Sequence, residues 1–115
     1  MPATKRGGAN LHYTIDDLTP PWQTAPETVL FHHGIGTDHR IWSEWVPALA
    51  DTFRLVRMDV RGYGGSSAPG PEADWSMDDL VSDVIAVADA VGADRFHMIG
   101  ESLGGTATYA TAIVH

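Results

Sequence analysis

A serine flanked by glycines, close to the end of the chain, has the residue types and spacing of a reactive turn. Residues 100–104 read Gly-Glu-Ser-Leu-Gly and fit the pattern G-x-S-x-G, in which a strained turn between a strand and a helix lifts the serine hydroxyl clear of the backbone. A serine held in this way can attack a carbonyl carbon once a base accepts its proton. Ser102 is therefore a candidate nucleophile.

The elements that must hold such a turn are predicted on both sides of it. Residues 95–99 are short and mostly apolar and follow a turn at 92–94, as expected of a buried strand. Residues 103–114 are rich in alanine and contain no proline, so they can continue as a helix.

The two glycines of the pattern have a steric role. Gly100 and Gly104 lie two residues on either side of Ser102, where a side chain would collide as the strand and the helix close on each other. The alternative is an ordinary glycine-rich loop that contains a serine by chance. The predicted strand and helix favour the turn, which we call the elbow (residues 100–104).

A second glycine-rich segment, residues 32–36, follows the predicted strand 28–32. An acyl-transfer site needs two backbone N–H donors directed at the developing oxyanion, one from the residue after the nucleophile and one from a loop of this kind. Leu103 and Ile35 occupy those positions, and Gly34 and Gly36 would let the Ile35 amide turn inward. The alternatives are a plain strand-to-helix turn, or half of a dinucleotide-binding pattern whose third glycine is missing.

Other polar residues favour structural roles. His32 and His33 could be metal ligands or general bases, but adjacent side chains of an extended segment point to opposite faces, which favours one ring hydrogen-bonded to the backbone. Asp59 could be a catalytic acid or a ligand; the glycines and Arg61 beside it favour a rigid turn in which Asp59 and Arg61 satisfy backbone groups and each other. Three further histidines have no neighbours in the sequence that suggest a function: His12, His39 and His97.

Composition limits the class of partner. The 115 residues carry a formal net charge of −8 and a single lysine, so no basic surface for nucleic acid or an anionic membrane is expected. The absence of cysteine excludes disulfides, thiolate catalysis and cysteine-ligated zinc. No apolar segment resembles a signal peptide or a membrane span. We predict a cytoplasmic protein that acts on a small-molecule substrate without a cofactor or a metal.

Strand and helix patterns alternate along the chain, which predicts one α/β domain with a mostly parallel sheet flanked by helices. The predicted strands cover about 10–15, 28–32, 53–58 and 95–99, and the predicted helices cover about 41–50, 77–91 and 103–114. Three aromatic side chains could line a cleft: Trp42, Trp45 and Tyr63. For the two tryptophans, packing in the core is the commoner role.

The helix 77–91 has the clearest pattern, because its apolar residues recur at helical spacing. Ser76 is the expected N-cap, Trp75 and Leu80 the expected hydrophobic staple, and Gly92 the expected stop. Its acidic residues are expected to form a solvated face that complements the helix dipole rather than a metal site. These residues are Asp78, Asp79 and Asp83.

Three motifs in the same order are similar to those of the α/β-hydrolase fold family. They are His-Gly-Ile-Gly at 33–36 followed by Trp42, Asp-x-Arg-Gly-x-Gly-x-Ser at 59–66, and Gly-Glu-Ser-Leu-Gly-Gly at 100–105. The resemblance runs from about Asn10 to the last residue and is to the branch of lactonases, esterases, C–C bond hydrolases and cofactor-free haloperoxidases. A serine at the elbow is unlike the aspartate of haloalkane dehalogenase and epoxide hydrolase relatives.

The resemblance implies a role for each motif. Ser102 would be the nucleophile, and the Ile35 and Leu103 amides would form the oxyanion hole. Residues 59–66 would help to shape the site. The other site-shaping residues would be His33, Gly34, Gly36, Gly100 and Gly104.

The chain departs from the family pattern after the elbow. In this fold an acid and then a histidine follow the serine, but the thirteen residues after Ser102 contain no acid. A helix would place His115 roughly 20 Å from Ser102, beyond the reach of proton transfer. We therefore expect residues 1–115 to be a single, incomplete domain, with its core at about 10–115. It would be the N-terminal part of a longer enzyme and inactive alone.

Two functions from different classes remain open. One is a serine hydrolase acting on an ester, lactone or related carbonyl compound through an acyl-enzyme. The other is a non-catalytic module of the same fold that binds a ligand or a partner, because a fold alone does not determine function.

Overall fold

A five-stranded mixed sheet lies at the centre of the structure. The computed structural model describes residues 2–6, 8–67 and 76–114. The strands are β1 (Ala3–Arg6), β2 (Ala9–Asp16), β3 (Thr28–His32), β4 (Arg54–Met58) and β5 (Phe96–Gly100). Their order is β1-β2-β4-β3-β5; β3 pairs in parallel with β4 and β5, whereas β2 pairs antiparallel with β1 and β4. The predicted α/β class is confirmed, and β1 is an additional strand.

The helices lie between and after the parallel strands. A 3₁₀ helix (His39–Trp45) runs directly into the short α1 (Val46–Leu49), and the longer helices are α2 (Met77–Ala90) and α3 (Leu103–Val114). The single helix predicted over 41–50 is therefore wrong. In an α-helix the N–H of residue 47 would donate to the Ser43 carbonyl, but Pro47 has no N–H. The Val46 N–H donates to that carbonyl instead, which is the 3₁₀ pattern. None of the helices in the described part of the chain is long and apolar enough to cross a membrane.

The sheet buries side chains on both of its faces. Successive side chains of a strand point to opposite faces, and all five residues of β3 are buried. One face packs Leu11, Tyr13, Leu30, Val56 and Met58 against Val84 and Val87 of α2. The other packs Val29, Phe31 and Leu55 against Trp42 and Ala50. Trp42 lies on Phe31 with ring centroids 5.1 Å apart, as its packing role predicts, whereas Trp45 is 45% exposed.

The start of α2 has the predicted cap. The Ser76 hydroxyl oxygen accepts a hydrogen bond from the Asp79 N–H at 3.1 Å and donates one to the Asp79 carboxylate at 2.9 Å. Trp75, the predicted staple partner of Leu80, lies outside the described residues. Beyond the helix, Gly92 adopts a φ of +72°, which suits glycine.

The expectation that Asp83 belongs to a solvated acidic face is wrong. Asp83 is 1% exposed, because its helical position shares the buried side of α2 with Leu80 and Val84. Its carboxylate accepts hydrogen bonds from Arg61 Nε and Nη2 at 2.6 and 2.8 Å and from Arg6 Nη1 at 3.2 Å. This ion pair joins β1, the segment after β4 and α2.

Replacing Asp83 by asparagine should destabilise the fold by about 3 kcal/mol, because it removes the carboxylate charge that faces the buried Arg61 guanidinium. Asp89→Asn is the matched control, since Asp89 lies exposed on the same helix and should change stability by less than about 0.5 kcal/mol. Urea unfolding of both variants measures the difference. Equal unfolding midpoints would contradict a structural role for the buried pair.

Candidate active site

Ser102 stands on a strained turn between β5 and α3. Its φ of 56° is the only positive φ of a non-glycine residue in the described part of the chain, and its side chain is exposed. This conformation costs roughly 1–2 kcal/mol, so the surrounding backbone must hold it. The Glu101 N–H donates to the His32 carbonyl at 3.1 Å, and the Gly104 N–H donates to the Glu101 carbonyl at 2.9 Å. The elbow is thus tied to the end of β3.

The close approach predicted for the two elbow glycines is present. A Cβ on Gly104 would lie 1.9 Å from the His32 carbonyl oxygen, and a Cβ on Gly100 would lie 2.1 Å from the Gly104 carbonyl oxygen. Both contacts are with backbone, which cannot move aside as a flexible side chain can. By contrast, a Cβ on Gly105 would have 3.7 Å to its nearest backbone atom, an ordinary contact.

The loop of residues 33–38, called the β3 loop below, packs against the elbow. A Cβ on Gly34 would lie 3.1 Å from Ser102 Cβ and 2.6 Å from Glu101 Oε2, so glycine permits this approach. Ile35 follows with 71% of its surface exposed. Gly36 has a φ of +81° with open space around its Cβ position. Glycine is therefore favoured here by the backbone conformation and not by a close contact.

His32 and His33 are both fully buried at the base of the β3 loop. The Nδ1 of His33 lies 2.8 Å from the Gly34 carbonyl, and its Nε2 accepts the Val60 N–H at 2.9 Å, so the proton resides on Nδ1. Burial is the main cause that lowers the pKa of His32 to about 4, and His32 is therefore uncharged at neutral pH. The His33 ring connects two backbone segments, whereas the His32 ring contacts the carbonyl of the adjacent His33 through Nδ1 at 3.0 Å.

The expectation that His12 and His39 have no suggestive neighbours is wrong. Both flank Asp59, which is fully buried. Asp59 Oδ2 accepts from His12 Nδ1 at 2.6 Å and from the Gly65 N–H at 3.0 Å, and Oδ1 accepts from the N–H and the Nδ1 of His39 at 2.8 and 2.7 Å. The sequence separates these residues by 20 to 47 positions, and only the sheet brings them together.

Asp59 is consequently an ionised carboxylate with all its acceptor positions in use. Burial acts to raise its pKa, but the donors from Gly65, His39 and His12 outweigh burial and lower the pKa below its usual value. The predicted pairing of Asp59 with Arg61 is replaced by these bonds, since Arg61 faces Asp83. His97, the third of the remaining histidines, is exposed and lies 3.5 Å from Glu27.

The cluster of His12, His39 and Asp59 has the residue types of a metal site, with ligand atoms within 4.8 Å of one another. Its geometry favours hydrogen bonds over an ion. A carboxylate has about four lone-pair sites, and N–H donors already fill four on Asp59. A Cβ on Gly64 would lie 2.5 Å from Asp59 Cγ, and one on Gly65 would lie 2.8 Å from His12 Cγ, so the turn packs tightly onto the cluster.

No histidine or carboxylate hydrogen-bonds to the Ser102 hydroxyl within residues 2–6, 8–67 and 76–114. His115 lies outside the described residues. The described part of the site thus comprises an exposed serine, a neighbouring glycine loop and the buried histidines beneath that loop. It contains no base for the serine.

The chain is similar in sequence to known proteins. A family model described as alpha/beta hydrolase fold matches residues 27–115. Epoxide hydrolase B of Mycobacterium tuberculosis is 34% identical over 109 residues, which cover 94% of this chain and 30% of that protein. The 3-oxoadipate enol-lactonase 1 of Acinetobacter baylyi is 34% identical over 102 residues, 89% of this chain and 35% of the relative.

A solved structure shows the same fold. The enol-lactonase of Burkholderia xenovorans superposes with a TM-score of 0.87 at 31% identity, over 99% of this chain and 42% of that one. The chain spans about a third of the length of the curated relatives it matches.

Gly104→Ala should destabilise the protein by at least about 3 kcal/mol, because the new methyl group would overlap the His32 carbonyl. Gly105→Ala is the matched control; its Cβ has space, and alanine in a helix should stabilise by up to about 1 kcal/mol. Chemical denaturation of the pair measures the difference. Similar stabilities would show that β5 and α3 do not approach as closely as described.

Proposed function

The chain belongs to the α/β-hydrolase fold family, and we propose that Ser102 is the nucleophile of a hydrolase that cleaves an ester, a lactone or a related carbonyl compound through an acyl-enzyme. The observation that carries this proposal is the exposed Ser102 on a turn with a φ of 56°, packed against Gly34. Residues held in strained backbone conformations cluster at active sites, and Ser102 is also exposed. Its hydroxyl is free to reach a substrate.

The backbone amides of Ile35 and Leu103 are the proposed oxyanion donors. Leu103 begins α3, and the first N–H groups of a helix have no partner inside it and carry its positive dipole end. Ile35 directly follows Gly34, the residue in contact with the elbow. Donors of this kind stabilise the negative charge that develops on a carbonyl oxygen under attack.

The remaining members of the site would shape it. His33 fixes the start of the β3 loop through Val60, and Gly34 and Gly36 give the loop its path past the elbow. Gly100 and Gly104 allow the elbow itself. We propose that these residues belong to one incomplete domain comprising residues 1–115.

We further propose that the base that activates Ser102 lies outside these 115 residues. Two findings support this. The described residues offer no base to the Ser102 hydroxyl, and the chain spans about a third of the length of its curated relatives. An unactivated serine hydroxyl is a weak nucleophile at neutral pH.

A non-catalytic binding module of the same fold is the second candidate. It requires no base and no oxyanion donors, and the relatives, which include an epoxide hydrolase and an enol-lactonase, favour the enzyme. The elbow serine favours attack on a carbonyl group. A fluorophosphonate separates the two candidates, because it labels an activated serine and leaves an inert one unmodified.

In a complete protein that contains this chain, Ser102→Ala should lower the turnover of activated esters on the order of a millionfold, because the other catalytic groups act only through the nucleophile. It should also abolish fluorophosphonate labelling and leave the circular dichroism spectrum unchanged. Ser82→Ala, which removes a hydroxyl from α2, is the control. Near wild-type activity in Ser102→Ala would overturn the assignment.

The 115-residue chain made alone should show no Ser102-dependent esterase activity and should associate. Among the strands of the described residues, β5 pairs with β3 alone, so its other edge presents N–H and C=O groups to neighbouring chains. Light scattering and turnover of a p-nitrophenyl ester test both statements. A monodisperse monomer that turns over the ester through Ser102 would contradict them.

A further inference from the structure

The β3 loop is anchored at both ends to the same segment of chain. At its start, His33 Nε2 accepts the N–H of Val60 at 2.9 Å. Just beyond its end, His39 donates its N–H and its Nδ1–H to Asp59 Oδ1 at 2.8 and 2.7 Å. Asp59 and Val60 are consecutive residues at the end of β4. The two histidines that flank these five residues are therefore both held by one short segment of the chain.

That anchoring point is itself rigid. The Asp59 N–H donates to the His12 carbonyl at 2.9 Å, which continues the pairing of β2 with β4. The other carboxylate oxygen is held by the His12 ring and the Gly65 N–H. Hydrogen bonds to an ionised acceptor are roughly twice as strong as neutral ones. Asp59 is thus held in place by the sheet, and its hydrogen bonds hold His39 in turn.

The groups around His39 leave Asp59 as its principal partner. The His12 ring lies edge-on to the His39 ring with centroids 5.2 Å apart, and Arg57 Nη1 lies 3.4 Å from the His39 carbonyl. The adjacent Asp38 carboxylate forms an ion pair with Arg40 at 2.8 Å. The His39 side chain therefore depends on Asp59 for its orientation.

We propose that Asp59, acting through His39, is the positioning group that directs the Ile35 amide of the β3 loop toward Ser102. This rests on the proposed function, because the orientation of the amide matters only if an oxyanion forms there. An oxyanion donor must lie about 2.7–3.1 Å from the developing charge. A small displacement of the loop therefore removes most of the stabilisation that the donor gives to the oxyanion. His39 and Asp59 are positioning residues and do not touch the substrate.

The test is a set of variants at His39 in a complete protein that contains this chain. His39→Ala removes the ring N–H and leaves the backbone N–H bond, and it should lower kcat about 100-fold, the order of loss that a 1 Å misplacement causes, with KM changed less than about threefold. His39→Asn should recover most of kcat, because its side-chain amide can place an N–H where Nδ1 lies. His97→Ala, at the exposed histidine of β5, should be unchanged.

A second measurement separates positioning from a general loss of structure. A boronic acid binds as a tetrahedral adduct of the serine oxygen and uses the oxyanion donors, whereas the carboxylic acid product binds without such an adduct. In His39→Ala the affinity for the boronic acid should fall by about the same factor as kcat, and that for the product should stay within about threefold. Thermal unfolding confirms that the variant is folded at the assay temperature.

Three results would overturn the proposal: unchanged kcat in folded His39→Ala, equal weakening of both ligands, or no recovery in His39→Asn. Each of them leaves the nucleophile assignment intact as long as activity still depends on Ser102. Activity that survives in Ser102→Ala would instead refute the proposed function.

Discussion

The contact between the backbone of α3 and the carbonyl of His32 is the constraint on which the site depends. Gly104 approaches that carbonyl so closely that no Cβ fits, and the Glu101 N–H binds the same oxygen. With both flanks held, Ser102 between them is driven into its left-handed conformation. The residue after His32 begins the β3 loop, so one carbonyl fixes the serine and the start of its neighbouring loop together.

A layer of histidines replaces ordinary apolar packing beneath this point. An imidazole has two nitrogens on opposite sides of a rigid ring, so a buried neutral histidine can connect two backbone or side-chain groups at a fixed distance. His33 is buried and connects the Gly34 carbonyl to the Val60 amide. His39, which is partly exposed, binds Asp59 through Nδ1 and its backbone N–H. An apolar side chain in either place would fill the volume but leave the loop without a defined path.

Local patterns in the sequence predict the local elements. Apolar runs locate β3, β4 and β5, helical spacing and Ser76 locate α2, and glycine spacing predicts the elbow. The short β1 escapes prediction because its polar residues carry no apolar signal, and Pro47 divides a helix that periodicity alone treats as continuous. The partners of Asp59 and Asp83 escape for a different reason. Their side-chain partners lie 20 to 77 residues away, and the strand order that brings these side chains together has no local signature.

The residues that contact the elbow lie either before it in the sequence, as far back as His32, or just after it, as far as Thr106. A nascent chain emerges from its N-terminus, so β3, the β3 loop and β4 are already available when Ser102 appears. The strained serine can therefore be positioned by segments that are synthesised before it and by the first turn of α3. Position and activation of the serine are thus separate: the elbow contacts fix where the hydroxyl lies, and a base must still accept its proton.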